Sequence, residues 1–209
     1  MRLLSTLLAT IIPMTAINLD AAPAPLGAPH IYKQLPDREL RIYAHTPDGW
    51  KTTDQRPAIV LFHGGAWTKG APHVLNDQAA HCASLGLVTF LVEYRLLTEP
   101  TDTPEPCVRD AKSAMRWVRS HAAGFGVDPD RIAAGGGSAG AHLAASAALL
   151  PGLDDPADDL SVSPKPQALV LFNPVIDNGP GGWGHGRDKD RYPEFSPAHI
   201  ITADAPSTL

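Results

Sequence analysis

Ser138 stands in the segment Gly135-Gly136-Gly137-Ser138-Ala139-Gly140, between the short apolar run Arg131-Ile132-Ala133-Ala134 and an alanine-rich stretch with helical character. A Gly-x-Ser-x-Gly pattern at a strand-to-helix turn projects the serine hydroxyl out of the backbone as a nucleophile. The glycines two residues to either side serve that turn, because strand and helix backbones approach there too closely for a Cβ. A serine hydroxyl is a poor nucleophile until a histidine takes its proton and a carboxylate fixes that histidine's tautomer.

A second loop has matching chemistry. His63-Gly64-Gly65-Ala66-Trp67 follows an apolar run and carries little side chain, so its backbone N–H groups are free to point into a site. With the N–H of Ala139, those of Gly64 and Gly65 can form an oxyanion hole for the tetrahedral intermediate of acyl transfer. Alone, His-Gly-Gly reads more readily as a turn. Its place after a strand, together with the serine motif, favours the chemical reading.

Both loops need a scaffold that brings them together. Pro57–Phe62, Leu87–Val92 and Ala168–Phe172 are short, continuously apolar runs, the signature of parallel strands covered on both faces. Glu39–Ala44 alternates and reads as an edge strand. Residues 73–85 fit a helix closed by Gly86. Val108, Ala111, Met115 and Val118 recur at helical spacing in a helix ended by Gly124, and the helix after Ser138 runs to Leu150. Strands alternating with helices predict an α/β fold with a doubly wound, mostly parallel sheet, whose active site lies at the carboxyl ends of the strands. The acidic, proline-rich stretch from Asp154 to Pro166 reads as a solvated connection. The pairs Asp154-Asp155 and Asp158-Asp159 lack calcium-loop spacing and read as surface charge.

The 209 residues, 44% of them hydrophobic, suit one domain. A net charge of −5 with scattered Lys and Arg leaves no footprint for nucleic acid. Residues 1–22 pair one positive charge with a short apolar run and resemble a secretory signal peptide, too short to span a bilayer and implying a secreted or periplasmic protein. A frayed N-terminal helix is the alternative. Residues 23–37, rich in proline, read as an extended lead-in to a domain over 38–209. Cys82 and Cys107 fall on helices expected on opposite faces of the sheet and read as two buried thiols.

The segments His63–Trp67, Val92–Leu96, Asp110–Val118 and Asp128–Gly140 together resemble the α/β-hydrolase esterases, similar to hormone-sensitive-lipase-like carboxylesterases and bacterial feruloyl or acetyl-xylan esterase-like members. Ala66 stands where many relatives have a third glycine, and Gly136-Gly137 replaces the usual Gly-Asp. The resemblance implies Ser138 as nucleophile and Gly64, Gly65 and Ala139 as oxyanion hole. It further implies an acyl-serine intermediate, a small-molecule or carbohydrate ester substrate, no stable membrane insertion, and neither cofactor nor metal. The family's chain order of serine, acid, histidine implies an acid after the strand beyond Phe172 and a histidine after the last strand. Ser196–Leu209 resembles the lead-in to that next strand, so the expectation is a chain lacking the last strand-helix units, impaired in activity, and able to self-associate through the exposed edge of the strand ending at Phe172. Within the chain, Asp177 and His185 are candidates for a substitute acid and base, against the reading of their segment as a surface loop beside the cleft. Trp67 and Trp183 are candidates to flank the substrate pocket. A formamidase or peptidase of the same fold, and a non-catalytic binding protein, are the rival readings.

Overall fold

The computed structural model describes residues 22–99 and 102–209, so the leader-like segment lies outside it but for Ala22. In chain order the main elements are β1 (Ala28–Gln34), β2 (Glu39–His45), β3 (Arg56–Phe62), α1 (Asn76–Ser84), β4 (Val88–Val92), α2 (Glu105–His121), β5 (Val127–Gly137), α3 (Ala139–Leu149), β6 (Ala168–Phe172), α4 (His185–Asp188) and β7 (Ser207–Thr208).

Side chains alternate across β3 with the period of two that a strand imposes. Ala58, Val60 and Phe62 enter the larger hydrophobic core with Cys107, Val108, Met115 and Leu143 from α2 and α3. Ile59 and Leu61 face the opposite way, against Leu75, Ala79 and Leu91, with Cys82 partly buried among them. Each such Val, Leu or Phe contributes about 1.5–3 kcal/mol on burial, which makes this two-faced strand the axis of the fold. The two cysteines are free and lie on opposite faces, Cys107 buried and Cys82 half-buried.

The sheet order is β1-β2-β4-β3-β5-β6-β7. β4, β3, β5, β6 and β7 run parallel, and β1 and β2 extend the sheet with antiparallel pairings. This is the mostly parallel α/β-hydrolase architecture. The chain leaves β3 toward β4 and returns to β5 on the other side of β3, so the connections diverge there. Crevices of this kind open at carboxyl strand ends. The loops after Phe62 and Gly137 lie at its rim.

Four expectations need correction. Glu39–Ala44 is not the edge strand, because β1 forms within the proline-rich stretch and pairs outside it. Gly124 does not stop α2; a 3₁₀ turn over Ala122–Phe125 follows, and Gly126 at φ 57° ends it. The edge of β6 is not open, since Ala168 and Leu169 pair with Ser207 and Thr208 and Leu171 N–H donates to Leu209 O at 2.9 Å. That removes the bare edge on which self-association rested. The acidic segment is more than surface charge: Asp154 lies 2.5 Å from Arg116, Asp155 2.5 Å from Lys33 and Asp158 3.3 Å from Arg116.

Asp110 of α2 organises the same face. Its fully buried carboxylate accepts from Arg95 N, Nε and Nη2 at 3.0, 2.8 and 2.8 Å and lies 2.9 Å from Lys33 Nζ. The segment after β4, the helix α2 and β1 are thereby tied at one point. Removing one partner of a buried pair strands the others' charge, at a cost of about 3–5 kcal/mol. Asp110→Ala is therefore expected to lower unfolding free energy by about 3 kcal/mol in urea titration, whereas Glu39→Ala at the exposed Arg41 pair changes it by less than about 1 kcal/mol.

Candidate active site

Ser138 sits between β5 and α3 with φ 53° and ψ −117°, a conformation sparsely populated by non-glycine residues. Its N–H donates to Phe172 O of β6 at 2.9 Å, and its carbonyl accepts from His142 N at 3.1 Å. The turn is thus held from both sides. The residue is solvent-exposed at the carboxyl end of β5 while its neighbours Ala139 and Gly140 are buried. A Cβ on either Gly136 or Gly140 would run into the Phe62 carbonyl of β3, so only glycine allows the turn to close on that strand.

The same closeness brings the His63–Gly70 loop to the serine. A Cβ at Gly64 would lie 2.9 Å from Gly137 O and 3.5 Å from Ser138 Cβ. Gly65 O accepts from Thr68 N and Lys69 N, both at 3.1 Å, across Ala66 and Trp67, whose φ values of 55° and 61° are left-handed. Two non-glycine residues in that region store strain, which the packing of Trp67 offsets. Its indole is fully buried, and its carbonyl accepts from Leu97 N at 2.8 Å. Among the described residues, the N–H groups of Gly64, Gly65 and Ala139 donate to no protein acceptor. A strained, exposed serine thus lies against Gly64, and the three N–H groups carry no protein acceptor.

Two histidines beside these loops have structural partners. His63 donates through Nδ1 to Gly64 O at 2.8 Å and stacks on Tyr94 at 4.3 Å, while Tyr94 OH donates to His63 O at 2.8 Å. Burial lowers its pKa and keeps the ring neutral. His142, one turn into α3, donates through Nε2 to Phe195 O at 2.7 Å and meets Trp67 edge-on at 5.0 Å. It joins the serine helix to the segment after β6 and to the His63–Gly70 loop. A pattern search for nucleophiles has no signal for this tether, which depends on a carbonyl 53 residues away.

Asp177 and His185 share a segment but do not pair. His185 Nδ1 lies 3.2 Å from Asn178 O, and Asp177 Oδ1 accepts from Gly179 N at 2.8 Å. The imidazole nearest Asp177 is His199, with Nδ1 3.9 Å from Oδ1 and 2.7 Å from Ser196 Oγ. Ser196 Oγ in turn accepts from Asn178 N at 2.9 Å. Among the described residues no imidazole hydrogen-bonds Ser138 Oγ. Trp183 is 49% exposed and available to a ligand, whereas fully buried Trp67 shapes the loop from beneath and does not line the pocket. Their rings lie 5.3 Å apart.

Comparison with known proteins agrees with this architecture. The BD-FAE family model matches residues 42–180, which take in both loops. LipM of Mycobacterium tuberculosis, a probable carboxylic ester hydrolase, is 40% identical over 100 residues, covering 47% of this chain and 23% of its own. The carboxylesterase NlhH of the same organism is 36% identical over 123 residues, covering 57% of this chain and 36% of its own. The chain thus spans about a quarter to a third of the length of these curated relatives. The apo form of Thermogutta terrifontis esterase 2 superposes with a TM-score of 0.82 at 39% identity, covering 89% of this chain and 71% of that one.

Burial drives the His142 pKa down from 6.5 to about 4. Between these values the unfolded chain binds a proton that the folded one excludes. Stability is fully present above about pH 6.5 and falls as pH drops toward 4, at up to about 1.4 kcal/mol per pH unit for this one group. His142→Gln removes that contribution. Denaturant titrations at pH 7, 6, 5 and 4 are expected to show a shallower decline for the variant than for the parent protein.

Proposed function

The chain belongs to the BD-FAE family, and on that premise we propose that it serves as a serine carboxylesterase, hydrolysing an ester of a small or carbohydrate-linked acyl group. The observation that carries the proposal is exposed, strained Ser138 held against Gly64, with the N–H groups of Gly64, Gly65 and Ala139 unengaged by the protein.

In this reading Ser138 Oγ attacks the ester carbonyl carbon and loses its proton to a histidine base. The carbonyl oxygen becomes an oxyanion held by the three backbone donors, which need no reorganisation as charge develops. The N-terminal end of α3 adds its dipole to the same field. The tetrahedral intermediate collapses, the alcohol departs with the base's proton, and water hydrolyses the acyl-serine by the reverse sequence. His63 and His142 are excluded as the base, because each is buried and committed to a backbone carbonyl. The substitute pair of Asp177 and His185 gains no support from the separate partners those side chains have.

Thermogutta terrifontis esterase 2 has been solved with propionate and with butyrate bound, and phosphorylated by paraoxon. Short acyl groups and the same covalent probe are the corresponding expectations for this chain. Paraoxon is expected to add one diethyl phosphate to Ser138, seen by peptide mass spectrometry, and Ser138→Ala abolishes it; labelling elsewhere, or none, removes the proposal. Gly64→Ala disturbs one donor, and its turnover of p-nitrophenyl butyrate is expected to fall about 10²–10³-fold in kcat with a smaller change in KM. The leader-like first 22 residues support export. Intact-mass measurement of protein recovered from culture medium or periplasm is expected to show a new N-terminus near Ala22.

A further inference from the structure

Arg187 of α4, in the segment that follows β6, bridges to the segments that follow β3 and β4. Its Nη2 donates to Ala66 O at 3.5 Å and its Nη1 to Asp102 O at 3.4 Å. The guanidinium carbon lies 5.5 Å from the centroid of the Trp67 ring and 6.0 Å from that of Trp183. Resting on the esterase reading above, we propose that Arg187 is a specificity-determining residue that recognises a carboxylate carried by the ester substrate.

The other arginines of this face have anionic partners. Arg95 is bound to Asp110, Arg109 to Glu105 and Arg116 to Asp154 and Asp158. Arg187 has no carboxylate partner among the described residues, and its two contacts are with neutral carbonyls at the long limit of hydrogen bonding. The acids near its contacts are already engaged. Asp102 Oδ2 accepts from Thr98 Oγ1 and Glu99 N, and Glu105 lies against Arg109 and Arg191. A guanidinium has five N–H donors in a planar fork, so three remain, enough for bidentate capture of one carboxylate. Half-buried against two indole faces, the charge is less screened than on an open surface.

The placement suits a substrate group. Ala66 is two residues from Gly64, the residue against Ser138, so a reach of at most about 3.8 Å per residue keeps the guanidinium within roughly 15 Å of the serine. That separation fits an ester whose acyl or alcohol part ends in a carboxylate a few bonds from the carbonyl. A half-ester of a dicarboxylic acid is the simplest such substrate. One isolated guanidinium matches a single carboxylate charge better than a phosphate dianion.

The test compares p-nitrophenyl hydrogen succinate with p-nitrophenyl butyrate, which share a leaving group and differ in the terminal carboxylate. For Arg187→Gln the ratio of kcat/KM, anionic over neutral, is expected to fall tenfold or more, the scale of one charge-assisted hydrogen bond. Arg187→Lys keeps the charge and restores part of it. A ratio unchanged in Arg187→Gln, including an equal loss on both esters, overturns the proposal and leaves Arg187 as a loop pin. If Arg187→Gln fails to fold, the ratio for the parent protein is measured against salt; a fall between 0.02 and about 0.5 M supports the charge, since screening length shrinks across that range, and a flat ratio overturns it. Monomethyl succinate titrated by NMR into Ser138→Ala, with and without Arg187→Gln, reads binding without turnover. Binding lost with Arg187→Gln supports the subsite, and absent or unaltered binding refutes it. Paraoxon labelling of Ser138 separately reports on the esterase reading.

Discussion

The Phe62 carbonyl at the end of β3 is the point of contact from which the site is built. Gly136 and Gly140 both press their Cα atoms toward it, and a side chain on either would collide with it. Because the β5–α3 turn closes so tightly on β3, Ser138 is forced into a left-handed backbone conformation and the next residues of the neighbouring chain segment, His63 and Gly64, come to lie against it. Strain at the serine and proximity of the glycine loop are two results of one backbone approach. Loosening that approach by a single methyl group would undo both.

Such a turn needs rigid surroundings, and the structure supplies them in layers. β3 is buried on both faces, so it cannot shift without opening two cores. Ser138 N–H is held by Phe172 O on the far side. His63 is clamped between Gly64 O and the Tyr94 ring, and Tyr94 OH returns to the His63 carbonyl. Around this, Asp110 ties Arg95 and Lys33, and Asp154, Asp155 and Asp158 fold the acidic segment back onto the α2 face. The charged residues of the matched family segments thus act as struts for the loops, at a distance from the proposed chemistry.

The segment after β6 joins the site through both packing and polar contacts, with Phe195 fully buried and Val175 and Ile200 against the main core. His142 holds the Phe195 carbonyl and Arg187 reaches Ala66 and Asp102, while within the segment Asn178 donates to Trp183 O at 2.9 Å. These contacts fix the segment's register over Trp67. They also make it the natural place for substrate selection, since the serine and its backbone donors recognise only the carbonyl that all esters share.

The motif residues were legible in the sequence because the turn and the donor loop each leave a consecutive signature, a protruding serine with glycine two residues away on each side and a loop with little side chain, although the Phe62 carbonyl that excludes a Cβ there comes from β3. The parallel strands were legible for a similar reason, as doubly covered strands must be continuously apolar. The strand at Ala28–Gln34 was hidden by Pro29 and by the prolines flanking it, and an edge tolerates Pro29 because one side of its backbone goes unpaired. The roles of the polar residues were decided only by tertiary structure. Asp154 and Asp158 look like solvated charge until Arg116 is folded beneath them, and Asp177 and His185 look like an acid and its base until the chain turns one toward Gly179 and His199 and the other toward Asn178. A tight backbone approach demands glycine at fixed positions among consecutive residues whichever segment it meets, whereas a charge or an imidazole takes its partner from any part of the chain that folding brings within about 3 Å.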